Sequence, residues 1–383
     1  MTACRVCGGD IATPTYEVPA PALTSIMTLL DVPTRVFICG ACGHAQSDDI
    51  PDIKTFYDTG YRISLNSENH DQIFSVAEDG TIIYRTDHQA ALALRLLDLP
   101  HGAAILDYGA AKADTLRKMT VARSDIRPHV FDVSADYATA WQGWLPAAAQ
   151  AVYSVPEPWR ENFDAVMSHF VIEHVADPVG FMRAVRKLLR PDGSFLFSVP
   201  DVVGNPGDMT VADHLNHFSE TSLSRALSDS GFKLRIIDKT SFPGAFFVVA
   251  QRTDAATETA DATAVAVSAQ EARDICAFWE QASEKLKGDV ARYAKRKVAI
   301  YGAGFYGSWI YGRIGDTVDV VAFLDRNENL QGATHFGVPV LRPEHLPDEA
   351  EALFVGLNPL KARDAIAAQP WLQRRGLDHV WLS

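Results

Sequence analysis

The 383-residue sequence has no uninterrupted apolar run near the roughly 20 residues a bilayer-spanning helix needs, so no membrane partner is expected. It also lacks the basic start and apolar stretch of a secretory leader. The first residues read MTACRVCGGD, and a cytoplasmic location is the expectation. Positive charge is in short supply: Lys and Arg number 35 against 48 Asp and Glu, a formal net charge of −13, which disfavours a nucleic-acid partner. An acidic surface still permits nucleotide binding, which needs only a local cluster of donors. Cysteine is sparse as well. The five are Cys4, Cys7, Cys39, Cys42 and Cys276, four of them in pairs two residues apart, which points to metal before disulfide. The apolar fraction, 47%, is ordinary for a globular protein, and the length suffices for two or three domains with separate cores.

The two cysteine pairs follow C-x2-C-x31-C-x2-C, each inside a glycine-containing knuckle, CRVCGG and CGACGH. Two residues between thiolates let both sulfurs face one ion, and glycine permits the tight turn. Cys4, Cys7, Cys39 and Cys42 are therefore the ligands expected for a closed, structural zinc site, fed by a strand at RVFICG. His44, after the second knuckle, reads as a solvated neighbour and not as a fifth ligand. The next stretch, FYDTGYRISLNSENHDQIF, is polar and aromatic without strong periodicity. With Tyr57, Tyr61, Ser64 and His70, it reads as a linking loop or as a lid in which Tyr61 donates a hydrogen bond to a polar substrate. This first unit covers residues 1–75.

A second unit, residues 80–251, opens with a helix-spaced run, HQAALALRLLDL, stopped by Pro100 and Gly102. The stretch AILDYGAAKAD then gives a strand, Asp107, a turn led by Gly109, and a helix from Thr115. The strand HVFDV ends at Asp132, 25 positions past Asp107, which leaves room for one helix. An acid there can accept hydrogen bonds from both ribose hydroxyls. A third strand near Ala151–Ser154 and a fourth over Asp164–Ser168 follow, then a helix over Pro178–Leu189 and a strand over Ser194–Val199. FKLRIID and AFFVVAQ, joined by a Pro-Gly turn, read as an antiparallel pair at the sheet edge. Acid, small loop and strand order look like the S-adenosylmethionine (SAM) site of a class I methyltransferase, a seven-stranded Rossmann-like α/β sheet. That likeness makes Asp107, Gly109, Ala110, Ala111, Asp132, Val133, Ser168 and His169 the candidate cofactor-binding residues. The usual loop is acid-x-Gly-x-Gly-x-Gly; here Ala111 and Ala113 stand in the second and third glycine places.

TDAATETADATAVAVS, without aromatics, reads as a linker or a frayed helix start, placed at residues 252–270. Residues 271–383 form the third unit. After a helical run to about Lys295, a strand runs into Gly302-x-Gly304-x-x-Gly307 and a helix, and the next strand ends at Asp325, 23 positions after Gly302. That is a dinucleotide fingerprint on a small Rossmann-like domain, with further strands at ALFVGLN and HVWLS. Three roles stay open for it: binding a dinucleotide, binding the nucleotide of a nucleotide-linked substrate, or serving as scaffold.

A Cys4 zinc module, a methyltransferase sheet and a C-terminal Rossmann-like domain together resemble the SAM-dependent sugar C-methyltransferases that act on nucleotide-linked keto-deoxysugars. The stretch Val211-Ala-Asp-His-Leu-Asn-His-Phe-Ser219 looks like that family's Tyr-His-Glu-His-x-x-Tyr-Phe-Ser segment. The resemblance puts His214 at the family's catalytic base, with Asp213 in place of the adjacent Glu. It puts His174 at another histidine near the sugar, and Tyr61 at a tyrosine of the first lobe. The sequence departs at Val211, where the family has a Tyr, and at His217, where an aromatic is common. The resemblance implies a SAM-dependent enzyme, structural zinc and a small-molecule acceptor. That acceptor is a nucleotide-linked sugar methylated at carbon, or alternatively a polysaccharide or small hydroxylated compound methylated at oxygen. Histidine suits either chemistry, since its unperturbed pKa is about 6.5. The rival from another class is a non-catalytic nucleotide-binding protein whose alanine-bearing loop has closed the SAM pocket.

Overall fold

The computed structural model describes residues 3–51, 71–77, 79–255, 260–360, 362–366, 369 and 377–382. Tyr57, Tyr61, Ser64 and His70 lie outside the described residues.

The first unit holds strands β1 (Tyr16–Val18), β2 (Ala22–Leu23), β3 (Leu29–Leu30), β4 (Thr34–Ile38) and β5 (Ala45–Ser47). Strands β1, β4 and β5 pair antiparallel, and the fourth member of their sheet is Asn216–His217, from far along the chain. The candidate catalytic stretch is thus woven into the cysteine-bearing lobe.

The second unit starts with a hairpin, β6 (Ile73–Val76) and β7 (Ile82–Tyr84), and helix α1 (Arg85–Leu96). Then come β8 (Ala104–Tyr108), α2 (Asp114–Ala122), β9 (Arg127–Asp132), α3 (Ala138–Trp141), β10 (Gln150–Val152) and β11 (Phe163–His169). They are followed by α4 (Pro178–Leu188), β12 (Leu189–Pro200), β13 (Asn216–His217), α5 (Glu220–Asp229), β14 (Phe232–Asp238) and β15 (Ala245–Arg252). The seven-stranded sheet runs β10-β9-β8-β11-β12-β15-β14, with β15 antiparallel to both neighbours. Strand order reverses between β8 and β11, and a ligand crevice in such sheets lies there, beyond the carboxyl ends of the strands. Central strands read as continuous apolar runs because helices cover both faces. Phe195 and Phe197 of β12 are fully buried with rings 4.8 Å apart, each contributing about 1.5–3 kcal/mol of burial. The sequence's strand order is the order observed. Helix α5 is capped by the residue before it: Ser219 Oγ accepts from Ser222 N–H.

The third unit is α6 (Ala262–Ala291), β16 (Lys297–Tyr301), α7 (Phe305–Ile314), β17 (Asp319–Leu324), β18 (Thr334–His335), β19 (Val338–Leu341), β20 (Ala352–Val355), α8 (Ala362–Ile366) and β21 (Asp378–Trp381). Its sheet runs β18-β19-β17-β16-β20-β21. Of the two readings of residues 252–270, the helix start holds for the second half, correcting the linker's placement there: α6 starts at Ala262, with Asp261 accepting from the N–H groups of Thr263 and Ala264. Alanine is the best helix former, and Ala269, Ala272, Cys276 and Trp279 give the helix a buried stripe that the absence of early aromatics hid. One buried cluster joins Tyr16 and Val36 of the first unit, Val202 and Met209 of the second, and Trp279 and Ile310 of the third. The three units therefore share apolar core.

Candidate active site

The cofactor cradle is built at the sheet's reversal point. Asp107 is buried near the end of β8, and its carboxyl is pushed up to about 8 by burial, then by Asp132 and Asp114. The chain then turns through Gly109 at φ 81°, Ala111 at φ 44° and Ala113 at φ 59°. Both alanines hold the left-handed conformation that glycine would adopt without strain, at about 1–2 kcal/mol each. Tethers hold the loop there. Gly109 and Ala110 N–H donate to Phe131 O, Ala111 N–H donates to Asp132 Oδ2 at 2.9 Å, and Trp141 Nε1–H donates to Ala111 O at 2.7 Å. Asp132 Oδ1 accepts from Ser134 N–H at 3.0 Å. Each carboxylate oxygen can accept a second bond, so the pair can still meet two ribose hydroxyls. Just past the paired ends of β9 and β10, Val133 and Tyr153 are 69% and 71% exposed, apolar surfaces at the crevice mouth. Sequence reasoning singled out Val133 and missed Tyr153, because it carried the third strand to Ser154 whereas β10 ends at Val152. Ser168 is fully buried, its hydroxyl donating to Tyr108 O at 2.8 Å, which ties β11 to β8. His169 bonds Ser198 Oγ through Nδ1 at 3.0 Å, and burial pushes it down to about 3, so its ring is neutral.

Gly109 packs directly on the turn after β11: a Cβ on it would lie 2.7 Å from Val171 Cγ2. That turn carries Glu173 and His174, and β13's segment brings His214 and His217 against it. His214 Nδ1–H donates to Asp208 Oδ1 at 2.7 Å, and His217 Nδ1 lies 3.2 Å from Asp208 Oδ2. Ser47 Oγ lies 2.9 Å from His217 Nε2. The rings of His174 and His214 meet edge to face at 4.7 Å. Burial disfavours charge on His214, but the Asp208 carboxylate overrides it and the ring is pushed up to about 9. Burial also opposes ionisation of Asp208, yet His214 holds it far below the usual carboxylate range. His174 is pushed down to about 4 by burial and by the His214 charge, and burial lowers His217 as well.

Asp208 was not visible as a partner in the sequence. It sits in the loop after β12, six residues before His214, with no fixed-spacing signature. Asp213 faces away from its chain neighbour His214. Its oxygens accept from Ser25 N–H and Oγ, both at 2.6 Å, and one lies 3.6 Å from His174 Nδ1. His174 Nδ1–H donates to the Asp213 carbonyl at 2.8 Å. The structure thus brings together His174, Asp213, His214 and His217, and adds Asp208 and Glu173. Tyr61 lies outside the described residues.

In the first lobe the four sulfurs of Cys4, Cys7, Cys39 and Cys42 lie within 4.8 Å of one another, with Cys4–Cys42 at 3.7 Å and Cys7–Cys39 at 3.5 Å. Gly8 and Gly43 both turn at φ 73°, donating back to Cys4 O and Cys39 O. The Cys4 thiol is pushed up to about 12, chiefly by its hydrogen bond with Cys39, a crowding that a divalent cation would relieve. Donor type, number and convergence fit structural zinc. His44 corrects its expectation: it is fully buried. Its Nε2 lies 3.2 Å from Asn216 Oδ1, and it belongs to the hydrogen-bond network instead of the solvated surface. Asn216 in turn donates to Ile172 O at 3.0 Å and Val175 O at 2.7 Å. The second knuckle and the Glu173–His174 turn are therefore joined through two side chains.

In the third unit, a Cβ on Gly302 would lie 2.4 Å from Gly356 O, and one on Gly307 1.8 Å from Gly302 O, so these glycines permit close strand–helix packing. Gly304 faces open space. Asp325 accepts from Ala303 N–H at 2.7 Å and Asn327 N–H at 2.8 Å. Tyr306, inside the glycine motif, accepts from Gly207 N–H at 3.1 Å and donates to Asn205 Oδ1 at 2.9 Å; Trp279 Nε1–H donates to Pro206 O at 2.7 Å. The glycine loop is thereby docked on the loop that carries Asp208.

Residues 83–235 match the family model for a methyltransferase domain. Ubiquinone biosynthesis O-methyltransferase of Cereibacter sphaeroides is 33% identical over 113 residues, 27% of this chain and 40% of the relative. The chain thus spans well under half the length of the curated relatives it matches. Among solved structures, a complex of the Haloferax volcanii Trm112 methyltransferase activator with a methyltransferase aligns at TM-score 0.38 and 16% identity, covering 44% of this chain and 91% of that one. A SAM-dependent methyltransferase from Mesorhizobium loti aligns at TM-score 0.36 and 17% identity, covering 43% and 98%. Among the described residues no helix is long and apolar enough to cross a membrane. With the observed strand order and the family match over the same segment, residues 83–235 are a methyltransferase domain of the class I α/β fold.

Proposed function

We propose that the protein is a SAM-dependent methyltransferase that methylates a carbon of a nucleotide-linked keto-deoxysugar. The observation that carries this reading is the adjacency of two features. The Gly109 loop, tethered to Asp132, packs on Val171, and three residues further on His174 meets His214 edge to face. A methyl donor in the first would face a proton-handling group in the second. Asp107, Gly109, Ala110, Ala111, Asp132 and Val133 form the cradle, with Ser168 and His169 as the strand behind it.

Methyl transfer needs an acceptor atom about 3 Å from the methyl carbon, in line with the departing sulfur. SAM supplies an activated methyl. The chain's own task is to orient the acceptor and take its proton. His214 is the group for that task, with Asp208 fixing its ring and tautomer. A positively charged sulfonium nearby favours the neutral ring and so offsets part of the elevation that Asp208 imposes. His174, His217 and Asp213 orient the pocket. The cysteine set holds zinc for structure. Gly302, Gly304, Gly307 and Asp325 hold the nucleotide of the substrate.

The purified chain with SAM and a panel of nucleotide-linked ketosugars should give a product bearing a new C–CH3 group by NMR. His214→Ala should lose turnover and keep SAM binding; retained turnover removes the role assigned to His214. Oxygen methylation of a hydroxylated acceptor is the second reading, favoured by the 33% identity to relatives named as O-methyltransferases. An O–CH3 signal in the same experiment selects it.

A further inference from the structure

Glu173 stands out among the buried groups: it is 1% exposed, and neither carboxylate oxygen has a hydrogen-bond partner. An unpartnered buried carboxylate is costly, and native structures retain few. Glu173 is also held inward, because Asn216 grips the carbonyls of Ile172 and Val175 on either side. One of its oxygens and one ring nitrogen each of His174 and His214 lie within 4.8 Å of one another. Both rings are oriented from behind through Nδ1, His214 by the Asp208 carboxylate at 2.7 Å and His174 by the Asp213 carbonyl at 2.8 Å. Metal-ligating histidines are held in this way, one nitrogen on the ion and the other on a carboxylate or backbone carbonyl.

We propose that Glu173, His174 and His214 form a second metal site, for a divalent first-row transition ion, at the acceptor end of the methyltransferase crevice. This rests on the reading of that cluster as the acceptor site. One carboxylate and two imidazoles are a mixed oxygen–nitrogen set. It suits Mn2+, Fe2+, Co2+ or Zn2+ better than Mg2+ or Ca2+, which take oxygen ligands. Three protein ligands leave positions open, so the ion takes an acceptor with two neighbouring oxygens: a vicinal diol, an α-hydroxyketone or a catechol. On the ion, the carbon beside a bound carbonyl, or a bound hydroxyl, loses its proton to water more readily, and the enolate or alkoxide oxygen is held in place. His214 then serves as ligand in the metal-bound protein. The four cysteines favour soft-ligand zinc, so Mn2+ discriminates between the two sites.

The test is an electron paramagnetic resonance titration of the zinc-containing full chain with Mn2+, with SAM binding measured by calorimetry on the same samples. One Mn2+ per chain is expected. Glu173→Gln should weaken it at least tenfold while SAM heat is unchanged, and Asp208→Asn should weaken it about 10–100-fold through the histidine it orients. Wild type that fails to bind Mn2+ below millimolar concentration overturns the site, as does Glu173→Gln that binds as wild type does. Turnover by protein dialysed against chelator, with its one zinc retained and no other metal, also overturns it and leaves the methyltransferase reading intact. Mn2+ binding of the expected stoichiometry, without any SAM heat, supports the site and sinks the methyltransferase reading instead.

Discussion

Replacing Asp208 by Asn keeps the side chain's shape and removes its charge. In the metal-free protein, His214 is lifted from an ordinary 6.5 to about 9, mainly because Asp208 outweighs burial. At about 1.4 kcal/mol per pKa unit, that difference is about 3 kcal/mol. The two side chains are 10% and 4% exposed, so solvent screens the pair little. A raised folded-state pKa stabilises fully below the unfolded value and ceases to do so as pH rises through the folded one. The depressed Asp208 expresses the same interaction from its acidic side and is not counted again. Wild type should therefore exceed Asp208→Asn in unfolding free energy by about 3 kcal/mol at pH 6 and about 2 kcal/mol at pH 7.5. By pH 9.5 the gap should nearly vanish. Urea unfolding of both proteins at the three pH values, in chelator, measures this. A gap that is constant with pH, or that widens as pH rises, refutes the electrostatic account of the dyad. The activity profile gives a second check: kcat/KM of wild type should rise with pH toward the neutral form of His214, and in Asp208→Asn that rise should shift to lower pH.

Gly109→Ala combines a left-handed φ with a Cβ placed 2.7 Å from Val171 Cγ2, and should lose about 2–4 kcal/mol of stability and weaken SAM binding more than tenfold. Ala111→Gly instead relieves a left-handed alanine while loosening the unfolded chain, so its unfolding free energy should stay within about 1 kcal/mol of wild type. Elemental analysis should find one zinc in addition to any ion at Glu173, and Cys39→Ser should lose it. Because β5 pairs with β13, that variant should lose kcat far more than SAM affinity, and unchanged kcat with no zinc contradicts the coupling.

The fold was readable where one rule acts over a whole segment. Buried strands followed by amphipathic helices reveal a doubly wound sheet, and the cysteine spacing reveals the knuckles, because both signals are local. Asp107, Gly109 and Asp132 stand at the strand ends where the sequence places them. What stayed hidden depends on contacts between distant parts. Asp208 reaches His214 from the 205–210 loop, which Trp279 and Tyr306 of the third unit hydrogen-bond. His44 reads as solvated until Asn216, 172 residues away, lies against it. The alanines at 111 and 113 look like a failed motif. Ala111's carbonyl and N–H tethers to Trp141 and Asp132, and the Ala113 N–H bond to Ala110 O, hold the left-handed turn that glycine usually makes easy. Helix α6 began earlier than its composition suggested, since its buried stripe opens on the alanines Ala269 and Ala272.

Isothermal titration of the full chain with SAM, alongside Asp132→Ala, tests the central claim most directly. The account predicts one SAM per chain, with affinity about 10–100-fold weaker in the variant, as expected when charge-assisted hydrogen bonds to ribose are lost. No SAM heat from the zinc-containing wild type, or equal affinity in Asp132→Ala, would contradict it.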